Sequence, residues 1–299
     1  MVGGLSVIDV ARVVLADGSS VRSNIAGGVA GGLGAWGNAS NVLTGGSSVQ
    51  GNTANQSGGV VFADDSAELN ITSSSVAGNT AQGNGGGLHV RGNTRSIVAD
   101  GSLVSDNTAA AFKGGLSAWN NASVVITGGC SVQGNKCNSG GGGVLTAGKA
   151  AVSITNSSVH SNTAGDGGGI VAWDASKLNI TKSMVYGNVA QNNGGGLIAG
   201  PASNVVADGS MFSNNTAGNC GGGVHAWGDV VVFLIDGSSV ERNTANMTGG
   251  GVCARQEAKV TITSSSVQGN TAAKGNDGVF IQDTAKVDTS GSSVQANTA

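Results

Sequence analysis

Short stretches of alternating apolar residues recur along the chain at nearly constant spacing. The cleanest are Leu69 and Ile71, Val124 and Ile126, Val152 and Ile154, Leu178 and Ile180, and Val260 and Ile262. Alternation with β-branched residues predicts half-buried strands. No segment carries the 3.6-residue apolar period of a helical repeat. A second kind of stretch follows a run of glycines, as at Ile170 and Ala172 or Val224 and Ala226, and a third is a lone Val such as Val49, Val76 or Val267.

Two markers set the period. An Asn three residues after a Val, Phe or similar residue falls at Asn24, Asn52, Asn79, Asn107, Asn135, Asn162, Asn188, Asn215, Asn243, Asn270 and Asn297, at intervals of 26 to 28 residues. The last glycine of each glycine run falls at Gly4, Gly32, Gly59, Gly87, Gly115, Gly143, Gly169, Gly196, Gly223, Gly251 and Gly278. Three strands and three turns in about 27 residues make one coil of a solenoid. The predicted fold is therefore all-β: a right-handed parallel β-helix of about 11 three-stranded coils, forming one domain over residues 1–299. At about 4.8 Å per coil the rod would be on the order of 50 Å long. Stacking supplies the core that no coil has alone.

The special positions fit this frame. Glycine permits tight turns with positive φ, and Asp-Gly pairs at Asp17, Asp100, Asp208 and Asp236 mark the turn before the third strand. Ala35, Ala118, Ala172, Ala199 and Ala226 keep the section narrow, while Phe62 and Ile281, counted from the glycines, share one position and predict a local bulge in the core. An inward Asn at a turn must satisfy its amide. Stacked once per coil, the eleven Asn side chains form a structural ladder rather than a binding row.

Composition narrows the function classes. There are 54 glycines but one proline, with no period of three, which excludes a collagen helix. A net charge of −3 gives no reason to expect a nucleic-acid partner. The longest apolar run, Val230 to Ile235, is too short for a transmembrane segment, and no signal-peptide pattern follows Met1. The chain opens on a glycine step and stops directly after a marker Asn, without polar caps. That points to a segment of a longer solenoid whose ends stack on flanking coils.

The pairing of a Gly-Gly-aliphatic step, as at Gly167 to Ile170, with a step such as Phe212-Ser213-Asn214-Asn215 resembles the polymorphic outer membrane protein repeat, although Val mostly replaces Phe here, as at Val49 and Val185. The resemblance covers essentially the whole chain. It implies a helix of pectin-lyase-like architecture, an extracellular or cell-surface location, and a structural or adhesive role with a carbohydrate or cell-surface ligand. The alternative is a polysaccharide lyase or glycoside hydrolase, since similar helices carry those enzymes. Their Asn-Thr-Asp, Gly-His-Gly and Arg-Ile-Lys motifs are not in this sequence.

Candidate chemistry is sparse. The one acidic doublet, Asp64-Asp65, has no equally placed acid in the next coils, whereas a glycosidase uses two carboxylates. His89 and His225 share an outward position but lie five coils apart, and His160 is elsewhere. Cys130, Cys137, Cys220 and Cys253 match neither adjacent-coil disulfide spacing nor zinc spacing and read as isolated thiols. No catalytic, cofactor or metal site is assigned. An ice-binding face would need an outward Thr array, whereas the outward second-strand residues read Leu43, Asn70, Val98, Val125, Ser153 and Asn179. Eight Asn-x-Ser/Thr sequons are present, as such a composition produces by chance. One possible ligand face remains. Trp36, Arg91, Trp119, Trp173, Trp227 and Arg255, with Gln282, share an outward position just after the first strand. Trp could stack on sugar rings there, or each Trp could simply fold over the following turn.

Overall fold

A computed structural model describes residues 3–56 and 59–298. The chain winds into a right-handed parallel β-helix of 11 coils, one per repeat. The three stretches of each coil stack into three 11-stranded parallel sheets, numbered here first to third in chain order. In coil 5, for example, they are Leu116–Trp119, Ser123–Thr127 and Ser131–Gln133. The count of three strands per coil needs one correction. The residue pair after each marker Asn, mostly Thr-Ala, forms a two-residue strand, and ten of these make a fourth sheet. Two residues carry no alternation, so the hydrophobic pattern alone does not reveal them.

The core is a set of stacked columns. Leu33, Val61, Leu88 and Leu116 stack in the first sheet, Leu43, Ile71, Val98 and Ile126 in the second, and Val49, Val76, Val104 and Val132 in the third. All are buried. Burial of each aliphatic side chain contributes roughly 1.5–3 kcal/mol, but only against the coil above and below.

The Asn ladder forms as expected. Each amide nitrogen donates to the side-chain oxygen of the next marker Asn, from Asn24 to Asn52 at 2.9 Å through to Asn270 to Asn297 at 2.9 Å. The same oxygen also accepts the backbone N–H of the preceding marker, as from Asn107 to Asn135 at 3.0 Å. A second bond runs from each amide to a third-strand carbonyl one coil back, as from Asn162 to Val132 at 3.0 Å. This geometry also explains why the two markers keep step. The last glycine of a step lies on the ladder amide of its own coil, and a Cβ at Gly115 would come within 2.9 Å of Asn135.

A serine column runs beside the ladder at the turn before the third strand. Ser157, Ser183 and Ser210 are buried there, and the backbone N–H of each bonds the hydroxyl of the next column member, Ser183, Ser210 and Ser238. Cys130 stands in this column and donates to the Thr127 carbonyl, while Cys137 packs between Ala109 and Ala164 of the fourth sheet.

Two register expectations are overturned. Val60 takes the place of the last glycine in coil 3, because Val61 pairs with Leu33. Phe62 therefore lies opposite Gly34 and His89, outside the core, while Ile281 pairs with Ala254 in the last coil. They share no position and make no core bulge. Leu43 and Val98 point inward, so the outward second-sheet row is Val42, Asn70, Ile97, Val125, Ser153 and Asn179. It is still not a Thr array. Among the described residues no helix is long and apolar enough to cross a membrane, which says nothing of spanning by strands.

Candidate functional site

The outward face of the first sheet is covered rather than open. Its outward residues Phe62, His89, Ser117, Leu145, Val171, Ile198, His225 and Cys253 are buried. Two features cover them. In coils 4 and 6 to 10 the positive-φ glycine of each step packs onto the outward side chain four residues later, as Gly141 does on Leu145 and Gly194 on Ile198. The Trp side chains do the rest. Trp119, Trp173 and Trp227 pack on the apolar patch of Leu145, Ala147, Val171 and Ile198. They lie over the outward face of the sheet.

Strand register places Trp119, Ala147, Trp173, Gly200 and Trp227 in one column over successive coils. A Cβ on Gly200 would meet both Trp173, at 2.5 Å, and Trp227, at 3.2 Å. The neighbouring indoles therefore reach the level of the coil between them, and the small residue makes room. Large and small residues alternate to build a continuous aromatic strip along the axis. Trp36 stands apart from this strip, 5.5 Å from the Phe62 ring.

At the lower end of the strip the coil-5 glycine step changes. Lys113 occupies the position held by Gly85 below and Gly141 above, with φ of 72°. A left-handed backbone costs a non-glycine residue about 1–2 kcal/mol. The outward residue four positions on is Ser117, small enough to leave the lysine space; Ala30 and Gly34 show the same compensation in coil 2. Lys113 is only 4% exposed, and its Nζ lies 3.8 Å from the centroid of the Trp119 ring. Burial, and then the charge of Arg91, pull its pKa down to about 7. His89 accepts or donates a bond to the Ser117 hydroxyl at 2.5 Å, and burial, then Lys113 and Arg91, push its pKa down to about 3. The imidazole is neutral at ordinary pH.

These residues wall a cavity of about 510 Å³. Trp119, Trp173 and Leu145 supply its apolar surface, Arg91 and Lys113 its cations, and Asn84, Asn120 and Asp174 further polar groups. Arg91 is held by Asp64, with Nε 2.6 Å and a terminal nitrogen 2.5 Å from Oδ2, the one ion pair among the described residues. The indole N–H groups of Trp119 and Trp173 are buried without an acceptor, a cost of about 1–3 kcal/mol each.

The structure thus gathers three of the sequence-predicted face residues, Arg91, Trp119 and Trp173, at one cavity. Trp227 and Arg255 face each other in adjacent coils and line a second, smaller one of about 260 Å³. His89 and His225 are outward as expected but buried, and His160 stacks on Tyr186 at 4.5 Å in the third sheet. Sequence reasoning missed Lys113 and the Lys113–Ser117 compensation. The signal was present: a lysine in a column that is glycine in the coils directly below and above it, Gly85 and Gly141.

The reading of four isolated thiols needs correction as well. Cys220 opens the glycine step of coil 9, and Cys253 of coil 10 packs on Gly249, next to the Thr248 whose hydroxyl lies 2.8 Å from Cys220 Sγ. The two are 33 residues apart because a step residue of one coil rests on a strand residue of the next, so matched-column spacing does not find the pair. No group of three or more His, Cys, Asp or Glu among the described residues is placed to hold a metal ion. No family model matches this sequence, and no match to it was found among curated proteins or solved structures.

Proposed function

We propose that this β-helix is a structural or adhesive segment of an extracellular or cell-surface protein, as the polymorphic outer membrane protein resemblance implies, and that it binds glycan along the aromatic strip of its first sheet. The observation that carries this reading is the cavity between Trp119 and Trp173. The backbone positions of the two Trp, two coils apart, are spaced by about 9.6 Å, comparable to one disaccharide unit of an extended chain. Sugar rings would lie along the helix axis on these faces. Arg91, Asn84 and Asn120 would take hydroxyl or acidic groups at the rim. One acid, Asp174, is among the lining residues, while acid–base glycoside hydrolysis uses two carboxylates. The test is retention on a printed array of neutral and acidic oligosaccharides. Replacing Trp119 or Trp173 by Ala should weaken the best binder about tenfold, equivalent to ~1.4 kcal/mol. Unchanged retention in both variants would remove the strip from consideration.

One observation favours a second reading, a polysaccharide lyase. The amine of Lys113 is partly neutral near pH 7 beside a fixed guanidinium, the pairing a base needs to draw a proton next to a sugar carboxylate. The case otherwise rests on analogy of fold. Ultraviolet absorbance from an unsaturated uronate, lost in Lys113→Gly, would establish it; its absence with the bound acidic oligosaccharides leaves the adhesive reading.

A further inference from the structure

Two polar groups, a guanidinium and a hydroxyl, meet one sulfur at the junction of coils 9 and 10. Arg255 donates a guanidinium N–H to Cys220 Sγ at 3.1 Å, the Thr248 hydroxyl lies 2.8 Å from the same sulfur, and Cys253 packs on Gly249 beside Thr248. Arg255 has no carboxylate partner among the described residues, and its charge is flanked instead by the Phe280 ring at 5.6 Å. Its other polar surroundings do not compete, since its Nε is buried without an acceptor. A sulfur that meets a hydroxyl and a guanidinium N–H of an otherwise unpaired cation is built to carry negative charge. Cys130 and Cys137 have no such surroundings, and burial pushes both thiols upward.

We propose that Cys220 and Cys253 form a redox-active dithiol, with Cys220 as the nucleophile toward a hydroperoxide and Cys253 as the resolving thiol. The Arg255 guanidinium and the Thr248 hydroxyl both lie within hydrogen-bond distance of the Cys220 sulfur and favour its thiolate, which sets the roles. The Cys220 thiolate attacks one peroxide oxygen; the O–O bond breaks, a sulfenic acid forms and hydroxide leaves. That hydroxide takes the proton of Cys253 and becomes water. The new thiolate attacks the sulfenic sulfur, the S–S bond forms, the S–O bond breaks and a second hydroxide departs. One thiolate, one thiol and one hydrogen peroxide thus give a disulfide, one water and one hydroxide. The cavity of about 260 Å³ lined by His225, Trp227 and Arg255 brings a small peroxide to the guanidinium that touches Cys220. The bond would tie the glycine step of coil 9 to the first strand of coil 10.

The test uses the full chain, reduced and then exposed to limiting hydrogen peroxide, alkylated and digested with trypsin. Cleavage after Lys182, Arg242 and Arg255 separates Cys220 from Cys253, and cleavage after Lys113, Lys136 and Lys149 separates Cys130 from Cys137. The expected result is one cross-linked pair, Cys220 with Cys253, while Cys130 and Cys137 stay fully alkylated. In Cys253→Ser the reaction should stop at a sulfenic acid on Cys220 that dimedone traps. Arg255→Gln should slow cross-linking at least fivefold. Oxidation of all four cysteines at similar rates, or sulfinic acid at Cys220 without a cross-link in the parent protein, would overturn the proposal. The parent result stands alone if a variant fails to fold.

Discussion

Asn162, at the middle of the ladder, donates to Val132 and Asn188 and accepts from both the backbone and the amide of Asn135, each bond at 3.0 Å. Every hydrogen-bonding group on the side chain is used, and Gly143 packs against it with no room for a Cβ. Asn41 is the same residue in the opposite situation. It points into the second-sheet column between Val13 and Leu69, is buried, and neither end of its amide has a partner. Burying an unpaired amide costs about 1–3 kcal/mol. Substitution at the two sites should therefore move stability in opposite directions in one urea-denaturation experiment. Asn162→Leu strands a backbone N–H and a carbonyl and should lose on the order of 4 kcal/mol. Asn41→Val restores the apolar column and should gain about 1–2 kcal/mol. A ladder variant as stable as the parent would mean the stacked amides are bystanders.

The covered face of the first sheet behaves as an element of its own, and its histidines give it a pH signature. An unfolded His89 or His225 takes up its proton near pH 6.5, whereas the folded forms do so only near about 3 and about 4, lowered by burial and then by nearby cations. Between those limits the unfolded chain holds more protons, so stability is fully present above pH 6.5 and falls as the pH drops through the window. The loss between pH 6.5 and 4.5 should be roughly 2 kcal/mol per histidine. Unfolding midpoints of the parent and of His89→Gln/His225→Gln at those two pH values would check it: the variant should be flat where the parent slopes. Lys113 acts in the alkaline range with the same logic, adding stability as the pH rises from about 7 toward its unfolded value. None of this layer was legible as a layer in the sequence. The three longer strands, the Asn ladder and the outward Trp column were, because each residue recurs once per coil against a changing background. The fourth sheet was hidden by its two-residue strands and the serine column by a serine-rich chain. Lys113 and the Cys220–Cys253 pair were hidden for another reason: their contacts run between different columns of the repeat, where no single spacing repeats.

At the scale of the whole molecule each coil touches only its two neighbours, so stability should be close to a sum over interfaces. The register makes this testable by excision. Ile25 pairs with Thr53 and Ala26 with Ala54, so removing residues 26–53 joins Ile25 to Ala54 without shifting any column. Asn24 would then face Asn79, Leu5 would face Val61, and the unpaired amide of Asn41 would leave with the excised coil. The shortened rod should fold, keep its circular dichroism signal per residue, and melt within about 5 °C of the parent. Removing half as much, residues 26–39, should behave quite differently. It would bring the second strand of coil 2 onto the path of the first, put Asn24 out of step with Asn52, and expose the lower edge of coil 3. The N-terminal part of that variant should unfold at lower temperature than the remainder, seen as a separate melting transition and as new proteolytic cleavage before residue 59. If the in-register deletion instead unfolded the entire chain, neighbour-only coupling would be wrong, and the solenoid would have to be treated as one cooperative block.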